Sequence, residues 1–137
     1  MKVHRSYFSA TDATDVSIDN AFDANSKSTV VLRDGKKILC RISGITVHLK
    51  SMAASGSGGG ALPTSLTMRI TTDSAGDTCL ITDTASTISA GITTGTVGTA
   101  DYKADVDVAL TDSKVYVFCK TNTGTADVDS VTITYEQ

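Results

Sequence analysis

Two histidines, three cysteines and a set of scattered aspartates are the residues of this chain with chemistry to offer. Histidine acts as base, ligand or pH switch only beside a positioned partner. His4 falls in a short first strand, and His48 alternates with Val47 and Leu49, which sets it towards solvent. No His-x-His, Cys-x-x-Cys or His-Glu-x-x-His spacing occurs, so a zinc site is not indicated. Asp105 and Asp107 point to one side of one strand, with carboxyl groups roughly 6–7 Å apart by strand rise. Paired carboxylates can hydrolyse glycosides. Here no aromatic sugar platform accompanies them: Trp is absent, and Tyr and Phe number 4 and 3. Solubility of an exposed face explains the pair better.

Other nucleophile and cation signals also fall short. No serine sits in a Gly-x-Ser-x-Gly elbow, and Ser55-Gly56-Ser57-Gly58 reads as linker. The glycines between Met52 and Pro63 are not followed by the Lys-Ser/Thr of a phosphate-binding loop, so this stretch reads as an exposed loop. Asp12/Asp15, Asp19/Asp23 and Asp73/Asp77 would suit calcium in their oxygen chemistry, but none follows the Asp-x-Asp-x-Asp-Gly pattern. Turn formation accounts for them. The sequence therefore assigns no catalytic, cofactor-binding or metal-binding residue, and a non-enzymatic protein without a cofactor is expected.

The elements that would carry such residues are strands. Period-2 alternation recurs, and no 3.6-residue period holds over a helical length. The first strand is expected around Val3–Phe8, and Asp12–Lys27 reads as an extended arm or a short strand between turns. Thr29–Arg33 is a strand, followed by a turn at Asp34-Gly35. The next strand changes phase: Ile38, Cys40 and Ile42 share one parity, whereas Ile45, Val47 and Leu49 share the other. Gly44 stands at the switch, where a β-bulge would keep one face inward. Leu66, Met68 and Ile70 are expected inward, with Thr67, Arg69 and Thr71 outward, before a turn over Asp73–Asp77. The Thr- and Ser-rich stretch 82–99 is expected to be irregular, with one short strand. Tyr102–Leu110 alternates cleanly, Lys114–Lys120 is apolar on both faces and so central or interfacial, and Val128–Tyr135 closes the chain.

About seven or eight strands with frequent turns predict an all-β, single-domain β-sandwich with jelly-roll-like order. Residues 1–27 form the N-terminal strand or arm region, and 28–137 the sandwich. The composition agrees, with 40% apolar and 20% charged residues over 137 positions. Lys and Arg number 12 against 15 Asp and Glu, and Lys36-Lys37 is the single basic doublet, which argues against nucleic acid. No apolar run reaches membrane length, and the N-terminus lacks a signal-peptide core, so no membrane partner and cytoplasmic synthesis are expected. The cysteines are read as small buried hydrophobes, although one disulfide is open to them.

Several segments resemble small β-sandwich virion proteins of tailed bacteriophages, in particular capsid decoration or cement proteins. They are the Asp-rich start, Ile42-Ser-Gly-Ile-Thr-Val47, Leu66-Thr-Met-Arg-Ile-Thr-Thr-Asp73, Lys114-Val-Tyr-Val-Phe-Cys-Lys120 and Ser130-Val-Thr-Ile-Thr-Tyr135. The resemblance covers most of the chain as a style of Thr/Ser/Asp-rich strands. It implies a protein that binds and stabilises an icosahedral head, works in the virion, partners the major capsid protein or other virion proteins, and forms a homo-oligomer, a trimer by preference. The competing expectation is a carbohydrate- or receptor-binding sandwich like a fibre head. Tyr102, Tyr116 and Tyr135 would carry it if they cluster outward. A small hydrolase with an unfamiliar site is the third.

Overall fold

The structure is a computed structural model that describes residues 7–12, 16–23, 25–32, 38–54, 60–90, 97–110 and 113–137. His4, Asp15, the Asp34-Gly35 turn, the Lys36-Lys37 doublet, Ser55–Gly59 and Asp112 lie outside the described residues. Among the described residues nine strands are seen: β1 (Tyr7–Asp12), β2 (Val16–Ile18), β3 (Lys27–Val31), β4 (Ile38–Ala53), β5 (Ser65–Thr71), β6 (Cys79–Ala90), β7 (Gly98–Leu110), β8 (Lys114–Thr121) and β9 (Thr125–Glu136). Every ladder is antiparallel.

The strands follow one hydrogen-bonded path, β1-β9-β4-β7-β6-β5-β8-β3, with β2 also on β9. The path folds back at β6. Its first part pairs with β5, while Ile88–Ala90 pair with Ala100–Gly98 of β7. Two layers result, β1-β9-β4-β7 over β3-β8-β5-β6, and the chain passes repeatedly from one to the other. This is the strand order of a jelly roll, nearly closed as a barrel. Eight strands carry it, and the three-residue β2 is an addition. On the side away from β6, the Thr29 N–H donates to Asp12 Oδ2 at 3.1 Å and ties β3 to β1.

The long β4 shows how the sequence sets the core. Its pairing with both β7 and β9 shifts between Ile42 and Gly44. The extra residue lets Cys40 and Ile42, then Ile45, Val47 and Leu49, all turn inward and become buried. A one-residue phase change without the bulge would put one of these sets into water. Gly44 is required for close approach, since a Cβ there would stand 2.8 Å from Thr134 Oγ1. Leu66, Met68 and Ile70 of β5, Val115 and Val117 of β8, and Val131 and Ile133 of β9 complete the buried centre.

Three expectations need correction. The 82–99 stretch is not an irregular connection with one short strand: β6 continues to Ala90 and β7 already begins at Gly98, with 91–96 outside the described residues. Thr is β-branched and suits a strand with one wet face, so its abundance there is no mark of a loop. Cys79 is exposed, whereas Cys40 and Cys119 are buried, because Cys79 is the first residue of β6 at the edge of the layer; all three thiols are free. Thr71 pairs with Tyr116 on the outward row but is fully buried. The 72–78 turn folds back over that row, and the Thr71 hydroxyl donates to the Asp73 carbonyl at 2.7 Å.

Candidate interaction surface

The same turn explains why β8 is apolar on both faces. β8 lies between β3 and β5, so it is central in its layer. Val115, Val117 and Cys119 face the core, and Phe118 points outward yet is buried. Its cover is Gly76, held at φ +84°, where a Cβ would come within 3.1 Å of the ring. Asp73 builds the turn: Oδ1 accepts the Thr78 N–H at 2.6 Å and Oδ2 the Asp77 N–H at 3.0 Å. Those two bonds, Thr78 first, lower the Asp73 pKa. Beside it, Phe22 of the β2–β3 crossover stacks under the Arg69 guanidinium (4.3 Å) and the Lys120 ammonium (4.8 Å). Arg69 also binds Asp83 through two nitrogens, at 2.8 and 3.1 Å. The part of this outer face around Phe118 and Phe22 is thus covered by its own chain.

The opposite outer face, on β1-β9-β4-β7, is a lattice of hydroxyls and carboxylates. Thr11 and Thr132 share a hydrogen bond at 2.9 Å, Thr46 donates to Asp101 at 2.6 Å, and Ser17 and Ser51 donate to Asp127 at 2.6 and 2.7 Å. The two serines, Ser17 first, lower the Asp127 pKa. Arg41 pairs with Asp105 and stands 3.9 Å from Asp107. The structure therefore brings the two candidate carboxylates to one cation on an open surface.

The remaining candidates disperse. His48 is half-buried on the outer row, opposite Thr99 and Ser130. Asp19 and Asp23 line a surface recess of about 300 Å³ with Asp127. Each is committed to a turn: Asp19 Oδ1 accepts the Ala21 N–H at 2.9 Å and Asp23 Oδ1 the Asn25 N–H at 2.8 Å. Among the described residues, no three His, Cys, Asp or Glu side chains group as metal ligands. The three tyrosines do not form a platform. Tyr135 is buried against Phe8, with ring centroids 5.5 Å apart, Tyr102 is half-buried on the inner row of β7, and Tyr116 lies on the other layer's outer row.

Two features were not read from the sequence. Leu39 is 71% exposed and, with Ala109, Val108 and Glu136, lines a shallow groove of about 430 Å³ at the end of the sheet. The second is the edge of β7. Beyond Ala100 its ladder partners among the described residues belong to β4 alone. The alternation of residues 102–110 was legible, but edge status depends on where β6 departs.

No protein-family model matches the chain, and no curated protein matches it. Among solved structures, the chain is similar to one in the cyanophage Pam1 capsid asymmetric unit, with TM-score 0.46 and 15% identity over 99% of this chain and 88% of that one. A structure of infectious bursal disease virus, Gx strain, gives 0.33 and 12%, covering 97% of this chain and 33% of that chain. The exo-β-1,3-galactanase of Phanerochaete chrysosporium gives 0.29 and 11%, covering 96% and 29%.

Proposed function

We propose that this chain is a non-enzymatic virion structural protein, a decoration or cement protein that binds and stabilises a phage head. The observation that carries the reading is the jelly-roll strand order, β1-β9-β4-β7 over β3-β8-β5-β6. Jelly rolls recur in viral shells and in lectins; fold by itself assigns neither role. The side chains favour the first. Asp83, Asp101 and Asp127 on the outer faces are engaged by Arg69, Thr46, Ser17 and Ser51 of the same chain, and the tyrosines needed to stack a sugar are set apart. A rigid two-layer block with polar faces suits a part that meets neighbours through edges and ends. Its partners would be the major capsid protein or other virion proteins.

The test mixes the purified chain with heads of its source phage prepared without it, and follows sedimentation and the head's resistance to heat. Binding that saturates and raises the temperature of head rupture supports the reading. A chain that stays in the supernatant and is retained on a glycan array moves the assignment to the carbohydrate-binding alternative.

A further inference from the structure

Among the described residues, β7 has strand neighbours on both sides only at its start. Gly98–Ala100 lie between β6 and β4; from Asp101 to Leu110 the ladder among the described residues continues on the β4 side alone. The Ser86 hydroxyl donates to the Asp101 carbonyl at the point of departure. Along the inner row, Ala100, Val108 and Leu110 are buried, while Tyr102, Ala104 and Val106 between them are only half-buried. The opening is therefore local, about one short strand in length. Its outer row, Asp101, Lys103, Asp105 and Asp107, is exposed and of mixed sign.

That row is self-complementary. In an antiparallel pair of two β7 strands about a two-fold axis at Asp105, Lys103 of each copy stands opposite Asp107 of the other. Ala104 then meets Val106, and Tyr102 meets Val108, of the second copy. Only the Asp105 pair on the axis is like-charged, and Arg41 of each copy already binds its own Asp105. Centring the pair on Ala104 instead would set Asp101 against Asp107 twice, and like charges directly opposite are unfavourable. We propose that the 102–108 edge of β7 pairs with the same edge of a second copy of this chain in this register. The contact is isologous and gives an even number of copies, in place of the trimer that the resemblance implies. It rests on the β7 edge and not on the virion reading, so it is tested without heads.

The measurement is solution mass against concentration by sedimentation velocity at low salt, for wild type, Lys103→Asp, Asp107→Lys and the double exchange. Lys103 and Asp107 are both on the surface, and circular dichroism checks that each variant folds. A wild-type dimer, at least roughly tenfold weaker in each single variant and restored in the double, is the expected result. Hydrogen exchange of amides 102–108 should slow as the dimer forms. A wild-type monomer at all concentrations overturns the proposal, and means that the charges guard the edge against pairing. A trimer, or a double exchange that fails to restore the dimer, overturns it equally.

Discussion

Gly76 lies on the ring of Phe118, with the site of its missing Cβ 3.1 Å from Phe118 Cζ. Gly76 also sits at φ +84°, where side chains are strained. Gly76→Ala is expected to cost about 1–2 kcal/mol in urea denaturation. In a Phe118→Leu background the steric part should shrink while the φ strain remains. Equal costs in both backgrounds would show that the contact contributes nothing.

Gly44 and Thr134 test the bulge in the same manner. Gly44→Ala places a Cβ 2.8 Å from Thr134 Oγ1 and should destabilise by about 1–3 kcal/mol, the range of overpacking. Thr134→Ala removes that oxygen and should recover most of the loss. Additive effects of the two changes would remove the clash as the cause.

The three thiols should react in a fixed order. Cys79 is exposed, Cys40 is buried and its pKa is raised by burial, and burial pushes Cys119 up to about 12. Since the thiolate is the reactive form, alkylation of the native protein at pH 8 should label Cys79 first and Cys119 only on unfolding. Mass spectrometry of timed samples reads the order. Early labelling of Cys119 would contradict its packing.

Acid should loosen the turn and the sheet ties. Hydrogen bonds lower the folded-state pKa values of Asp73, Asp83 and Asp127: from Thr78 to Asp73, from Arg69 to Asp83 and from Ser17 to Asp127. A depressed carboxylate stabilises the fold at pH above its unfolded value, about 3.9. That contribution is lost as pH falls through the folded value. The thermal midpoint should hold steady above about pH 5 and drop below pH 4. Asp73→Asn should lower the neutral-pH midpoint and flatten the acid slope; an unchanged slope would remove Asp73 from the account.

Phe22 pins the crossover between the layers. Phe22→Ala removes the ring beneath Arg69 and Lys120, and each such contact is worth about 0.5–1 kcal/mol at a surface. The loss should be read as faster hydrogen exchange around residues 19–26, with exchange in the buried β4 amides unchanged.

The phase change around Gly44 was legible because only a bulge reconciles Cys40 and Ile42 with Ile45, Val47 and Leu49 on one inner face. The inward rows of β5, β7 and β9, the turn at Asp73 and the two-faced β8 were legible for the same reason: alternation is local and water enforces it. Those patterns by themselves determined an all-β sandwich. Tertiary structure alone decided which strands are neighbours. The burial of Thr71 and Phe118 depends on a turn folding over them, the exposure of Cys79 on its place at the layer's edge, and the continuation of β6 on β5 beside it. The meeting of Asp105 and Asp107 with Arg41 depends on β4 lying beside β7, and the open edge at Lys103 on where β6 departs. These are pairings between residues distant in sequence, and no local period encodes a distant partner.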